Sequence, residues 1–281
     1  MSRRAVQTAA LLIVMLCALP ITAYAQKESD TRQQELFTRI MERRTAATEE
    51  TLADVAALFI GTPYAAHTLE TYPAPERLTV RLDSVDCTTF VEQALALWII
   101  GREGTWDEFT RQLTRIRYGS DSIKGYASRL HYITAWAEAN TAAGRTVNPM
   151  DSLCPGRLTP QCNFMTRHRE KYPAIANDST EYARIAAMEE RLAGTSLCIL
   201  PKEDFNRYSG TIHHGDIIAF LTTTEGLDVS HIGIAYEKEG KTALLHAPTV
   251  GKEVEISHES IGEILGNRLT YSGLIVLRPL K

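Results

Sequence analysis

The sequence predicts an α+β fold, with helices first and an antiparallel sheet last. Three observations predict it. Apolar residues recur at helical spacing in segments as far along as Leu192. After Gly210 the pattern breaks into short strand-length runs separated by turn residues. The two kinds of segment follow one another and do not alternate as βαβ units, which argues against a parallel sheet.

The elements follow in order. Arg3 and Arg4, the apolar run Ala9 to Leu19, and Ala23-Tyr24-Ala25 before Gln26 have the pattern of a secretory signal over residues 1–25. The run is short for a membrane span, and a lipoprotein site at Cys17 is disfavoured by the bulky Leu16 before it. An uncleaved anchor stays open. The mature chain, 26–281, is expected to be one catalytic domain, with helices over 26–60, an inserted and mostly helical lobe over 102–200, and the sheet over 210–281.

Leu36, Phe37, Ile40 and Met41 share one helical face, and Leu52, Val55, Ala56 and Phe59 share another. Gly61-Thr62-Pro63-Tyr64 ends this region. A polar stretch follows, with a short strand expected at Leu78 to Leu82. A helix then runs from Cys87 to near Gly101. Trp106 to Ile116, Arg129 to Asn140 and Thr180 to Leu192 are the next expected helices, and Asn148 to Asn163 is an expected irregular loop. Strands are expected at Asp216 to Phe220, Val229 to Tyr236, Ala243 to His246, Val254 to Ser257 and Gly273 to Leu277. Gly240 within Glu237 to Lys241 suits a hairpin turn.

Composition excludes some functions. The chain has 281 residues, 44% hydrophobic and 23% charged, with a net charge of −4. Loss of Arg3 and Arg4 with the leader takes the charge to about −6, which argues against a nucleic-acid partner. No C-x-x-C pair or H-E-x-x-H motif is present, so neither a metal nor another cofactor is expected. The mature cysteines are Cys87, Cys154, Cys162 and Cys198. Cys154 and Cys162 are close enough in sequence for a loop-closing bridge, and Cys198 is open to pairing with either or to staying free.

Val85-Asp86-Cys87-Thr88-Thr89-Phe90-Val91-Glu92 carries the chemistry. It sets a cysteine where a helix begins, with Asp86 as its cap. Unpaired N–H groups and the positive end of the helix dipole favour a thiolate there. A free cysteine is more often a small buried hydrophobe. A nucleophilic thiol needs a base and an orienter for that base. Among eight histidines, His231 opens one expected strand and His246 lies on the next. A hairpin would make them cross-strand neighbours, with one nitrogen of His231 facing Cys87 and the other bonding His246. A strand histidine is more often structural than catalytic. His213 and His214 read as loop residues, and His67, His168 and His258 have no partner motif.

Five blocks in order resemble the NlpC-type cell-wall cysteine peptidases: Gly61-Thr62-Pro63-Tyr64, Asp86-Cys87-Thr88-Thr89-Phe90-Val91, Gly215-Asp216-Ile217-Ile218-Ala219-Phe220, Ser230-His231-Ile232-Gly233-Ile234 and Leu245-His246-Ala247. The resemblance implies a reduced papain-like core, with the nucleophile helix packed on an antiparallel sheet. It also implies Cys87 as nucleophile, His231 as base and His246 as orienter. The family's usual Cys-Ser-Gly is Cys87-Thr88-Thr89 here. The long insertion, with Ser128-Arg129-Leu130-His131-Tyr132 before Trp136 and with Asn163-Phe164-Met165, resembles the N-acetylmuramoyl-L-alanine amidase-like branch related to NlpC.

That branch implies cleavage between the lactyl group of N-acetylmuramic acid and L-alanine in peptidoglycan fragments. The expected setting is the periplasm, and the expected state is a monomer with no membrane span after leader removal. By motif analogy Tyr64 is a candidate oxyanion donor. Asp86 is the helix cap or a substrate contact, and Ser230 places His231 or touches ligand. Arg129, His131 and Tyr132 are candidates for a cationic, hydrogen-bonding and stacking wall. The plainer alternative is that Tyr132 packs its helix while Arg129 is solvated. The competing readings are a γ-D-glutamyl-diamino-acid endopeptidase and a non-catalytic muropeptide-binding protein.

Overall fold

The central helix of the protein is apolar on every side, and that requires a core on every side. In the computed structural model, which describes residues 29–44, 49–250 and 252–281, this helix is α3, Cys87–Ile100. Phe90, Val91, Ala94, Leu95, Leu97 and Trp98 are all buried in it. Ahead of it lie α1 (29–43) and α2 (Leu52–Ala57). After it come α4 (Trp106–Tyr118), α5 (Ile133–Ala142), β1 (Thr146–Val147), β2 (Gly156–Leu158), α6 (Phe164–Arg167), α7 (Pro173–Ala176) and α8 (Ser179–Ala193). Then follow β3 (Leu197–Pro201), α9 (Phe205–Tyr208), β4 (Ile217–Thr222), β5 (Val229–Lys238), β6 (Lys241–His246), β7 (Glu255–Ser260), α10 (Ile261–Asn267) and β8 (Tyr271–Pro279). The expected leader, residues 1–25, lies outside the described residues. No described helix is long and apolar enough to cross a membrane.

The strands form one antiparallel sheet in the order β2-β3-β8-β4-β5-β6-β7, with β1 also paired to β8. One face packs on α2 and α3 through Ile217, Ala219, Ile232, Ile234 and Leu245. The other face packs on α10 through Ile218, Phe220, Ala235, Leu244, Leu274 and Val276. Alternate residues of each strand therefore serve two cores. A third cluster includes Tyr126, Tyr132, Met165, Ile175, Ile185 and Leu192.

Local chemistry sets several boundaries. Thr105 and Glu108 form a capping box at the start of α4. The β5–β6 hairpin turns on Glu239 and Gly240, whose φ angles of 55° and 77° fit a two-residue primed turn.

Three expectations need correction. The strand expected at Leu78 to Leu82 is an extended segment outside the sheet. Its backbone is satisfied by helix side chains: Arg81 N–H donates to Gln93 Oε1 at 2.9 Å, and Leu82 N–H donates to Gln33 Oε1 at 2.6 Å. The helix expected from Arg129 begins at Ile133. There the Asp228 carboxylate, 94 residues away, accepts from Thr134 N–H at 2.7 Å. The segment expected to be irregular, Asn148 to Asn163, carries β2. The disulfide is Cys154–Cys198, 44 residues apart, and Cys162 is free and buried.

Candidate functional site

Asp86 creates the helix end that presents Cys87. Its carboxylate accepts from Thr89 N–H at 2.7 Å, and its own N–H donates to Thr89 Oγ1 at 2.9 Å. This reciprocal box commits Asp86 to capping α3. Cys87 is the first residue of the helix and half-buried. The Gly61–Tyr64 block lies along the approach to it. Tyr64 bridges Val85, and Val85 N–H donates to Pro63 O at 2.9 Å. The Tyr64 phenol is raised from its ordinary pKa by burial, then by the charges of Cys87 and Asp86, which places it in the field of the thiol.

The helix end was expected to favour the thiolate, and the structure reverses that expectation. Burial pushes the Cys87 thiol up to about 11, and the neighbouring Asp86 charge adds to it. Hydrogen bonds from the Ile232 backbone and from Thr88 act in the opposite direction but are outweighed. The Ile232 contact also places the sulfur against β5, at the residue next to His231.

A bulge sets His231. Leu221 pairs with Val229, whereas Phe220 pairs with His231, so Ser230 is the extra residue. A bulge of this kind re-aims the side chain beside it. His231 Nε2 lies 2.7 Å from His246 Nδ1, with the rings edge to face at 80°. Burial lowers His231 to about 3, followed by the charges of His246 and Arg268. Burial, then Arg268, lowers His246 to about 4. Both imidazoles are thus neutral at pH 7.

This neutrality has a consequence for stability. Both folded pKa values lie below the ordinary 6.5, so unfolding takes up protons as the pH falls from about 6.5 toward 3. The stabilisation is complete above 6.5 and lost through that window. Urea midpoints are expected to fall between pH 7 and pH 5, and less steeply for a His231→Gln/His246→Gln variant. An equal slope in both proteins would show that the imidazoles are not the source.

Ser230 is exposed, and its hydroxyl bonds Tyr271. Tyr271 stacks on Phe220 at 4.8 Å and carries Arg268 above its ring at 5.9 Å. Sequence reasoning missed both Tyr271 and Arg268. The available signal was an aromatic residue opening the last strand just after a cation. Together with His231, His246 and the segment Pro248 to Val250, they line a cavity of about 410 Å³.

The proposed wall in the insertion is arranged differently. Arg129 is buried, pairs with Glu70 at 3.1 Å and Glu76 at 3.3 Å, and covers the Tyr126 ring at 4.8 Å. His131 Nε2 bonds Tyr126 O at 2.9 Å, and burial pushes its pKa down to about 3. Tyr132 O–H donates to Glu189 at 2.7 Å and accepts from Met165 N–H at 3.1 Å. The alternative of a solvated Arg129 is corrected, and its charge is committed to two carboxylates. Arg129 ties this region to the segment after Tyr64, whereas His131 and Tyr132 bond to Tyr126, Met165 and Glu189.

Comparison with known proteins adds a family to this geometry. The model of the AmiA-like family, described as N-acetylmuramoyl-L-alanine amidase-like, matches residues 54–271. A crystal structure of an N-acetylmuramoyl-L-alanine amidase from Bacteroides uniformis is 34% identical. It superposes with a TM-score of 0.79, covering 82% of this chain and 98% of that one. A Bacteroides fragilis protein provisionally named a xylanase is 37% identical, with a TM-score of 0.75, 79% of this chain covered and 98% of the other. A Legionella pneumophila protein at 18% identity shares the fold, with a TM-score of 0.65 over 92% of this chain and 97% of its own. No curated protein matches the chain significantly.

Proposed function

Because the chain belongs to the AmiA-like, N-acetylmuramoyl-L-alanine amidase-like family, we propose that it hydrolyses the amide joining N-acetylmuramic acid to L-alanine in peptidoglycan fragments, with Cys87 as nucleophile. The reaction runs outside the cytoplasm, in the periplasm, once the leader is removed. The NlpC-type, papain-like kinship of the core belongs to the same proposal.

The observation that carries the mechanism is the 2.7 Å contact between His231 Nε2 and His246 Nδ1. It occupies Nε2 of His231, which supports Nδ1 as the nitrogen that serves the thiol. For Nδ1 to act as a base, His231 holds its proton on Nε2 and His246 Nδ1 accepts it. His246 is then the orienter. Cys87 passes its proton to His231 Nδ1 as Sγ bonds to the lactyl carbonyl carbon. The tetrahedral oxyanion meets the N–H groups at the start of α3, and the Tyr64 hydroxyl is the second donor. The C–N bond breaks as His231 returns the proton to the departing amine. Water, deprotonated by His231, then attacks the thioester, and the acid and free thiol separate.

The raised thiol and the lowered imidazole make the resting pair neutral. The proton therefore moves during attack and not before it.

Mass spectrometry of products from defined muropeptides tests the reading. The expected products are L-alanine, or an L-alanyl peptide, and the free lactyl acid. A cut within the stem peptide would establish the endopeptidase instead. Sugar release from xylan with intact muropeptides would sink the amidase reading, as would binding without turnover.

A further inference from the structure

A bulged strand needs more than its ladder to fix it. A bulge leaves one residue outside the pairing, so the aim of the next side chain depends on what holds the strand on either side. Beyond Ser230, His231 to Ile234 pair with Phe220 to Ile217 in regular register. Ahead of Ser230, β5 begins at Val229, and the pair of Val229 with Leu221 is all the β4–β5 ladder that precedes the bulge. The direction of the His231 imidazole therefore rests on the residue before Val229, which is Asp228.

Asp228 is held at three points. Its Oδ1 accepts from Val229 N–H at 2.7 Å, its Oδ2 from Thr134 N–H at 2.7 Å, and its backbone O from Thr222 N–H at 3.1 Å. One carboxylate thus joins the first N–H of β5 to the first turn of α5. Asp228 and Thr134 are both buried, so water does not compete for these bonds. Burial raises the pKa of Asp228, and the N–H groups of Thr134 and Val229 oppose the rise. The helix is a fixed reference, because Ile133, Trp136 and Ala137 of α5 share a core with Phe90 and Val91 of α3. The helix that presents the thiol and the strand that carries His231 are referred to that one core through Asp228. The loop before it is docked as well. Gly226 O accepts from Asn163 N–H and Phe164 N–H, each at 3.0 Å. Gly226 has a φ of 80°, and a Cβ there would collide with Asn163 Oδ1, so the approach requires glycine. Arg167 pairs with Glu225 at the exposed end of the loop.

We infer that Asp228 is a positioning residue for His231: by tying the start of β5 to the first turn of α5, it sets the bulge that holds the imidazole against His246. It acts through His231 and not on the substrate. The segment Asn163-Phe164, which stands out in the sequence, supports the same loop from the other side. This inference rests on the amidase reading and deepens it, because the base works only from a fixed place.

The test compares wild type, Asp228→Ala and Asp228→Asn as full mature chains, each checked for folding by circular dichroism. One readout is steady-state release of L-alanine from N-acetylmuramoyl-L-alanine. The other is the downfield proton NMR signal of the hydrogen shared by His231 Nε2 and His246 Nδ1, assigned by its absence in His231→Gln. Asp228→Ala is expected to lower kcat by roughly 10- to 100-fold, the cost of misplacing a catalytic group by about 1 Å, with KM within about threefold of wild type. The shared-proton signal is expected to shift or to broaden beyond detection. Asp228→Asn keeps one acceptor oxygen for the two N–H groups, so it is expected to recover part of both readouts. A folded Asp228→Ala protein that keeps the signal, or keeps kcat within about threefold, overturns the positioning role and leaves the amidase reading intact. Where Asp228→Ala does not fold, Asp228→Asn decides, and wild-type kcat with an unchanged signal in that variant overturns the role. Wild type that releases no alanine overturns the amidase reading, and the imidazole signal alone then decides whether Asp228 sets the ring.

Discussion

Cys87→Ala is expected to reduce release of L-alanine from N-acetylmuramoyl-L-alanine by about 10⁴-fold or more. Among the described residues the thiol has no neighbouring substitute, because Cys162 is buried in the third cluster and Cys154 and Cys198 are bridged. His231→Ala is expected to cost a similar factor. The Cys87→Ala/His231→Ala pair should cost little more, because residues acting as one unit are not additive. His246→Ala removes only the partner of His231 Nε2, and a smaller loss is expected. Residual turnover within tenfold of wild type in Cys87→Ala would exclude the thiol mechanism. Alkylation adds an independent reading. With the thiol pushed up to about 11, the rate of carboxamidomethylation at Cys87 should still climb about tenfold per unit from pH 7 to 9. A plateau near neutrality would instead reveal a preformed thiolate–imidazolium pair.

Arg117→Met is expected to be the most destabilising single change outside the site, at about 3–5 kcal/mol. Arg117 and Glu92 are both almost fully buried, with Nε 2.7 Å from the carboxylate and Nη1 2.7 Å from Thr79 O. The pair fastens α4 to α3 and to the extended segment that passes over them. Burial raises the pKa of Glu92 even with Arg117 beside it. Without the arginine the carboxyl should take up a proton to escape an unpaired charge. The Arg117→Met protein should therefore lose less at pH 5 than at pH 8. A raised folded pKa supports stability below it and withdraws that support above it. Adding Glu92→Leu should recover much of the loss, because the orphaned charge is then gone. Urea denaturation of the single and double variants checks this. A double variant no more stable than Arg117→Met would mean the loss came from packing and not from charge.

Several features were legible along the chain because their causes are local. The Asp86–Thr89 box lies within three residues of Cys87, so the start of α3 could be read directly. The Glu239-Gly240 turn sits between two alternating runs, so the hairpin holding His231 and His246 could be read too. Ser128-Arg129-Leu130-His131-Tyr132 and Asn163-Phe164-Met165 pointed to the amidase-like family before any geometry did. Other features depended on distant partners. Nothing near Ile133 shows that α5 starts there, because its cap is Asp228. The extended run around Arg81 looked like a strand, because nothing local reveals that Gln33 and Gln93 supply its hydrogen bonds. Arg129 could be read as a substrate wall or as solvated, but not as an ion-paired buried residue, because Glu70 and Glu76 arrive from a separate segment.

By itself the sequence determined the α+β class, the cysteine at a capped helix end and the two histidines on successive strands. Each follows from side-chain periodicity, capping or turn chemistry acting over a few residues. Only the tertiary structure decided the Cys154–Cys198 pairing, the bulge at Ser230 and the company of Arg268 and Tyr271 around the imidazoles. It also decided the state of the thiol. A helix terminus favours the anion over a distance of one turn, but burial removes the water that would stabilise it, and burial depends on the whole fold. At Cys87 burial is the larger effect and pushes the thiol up to about 11, against the direction that the local sequence marks.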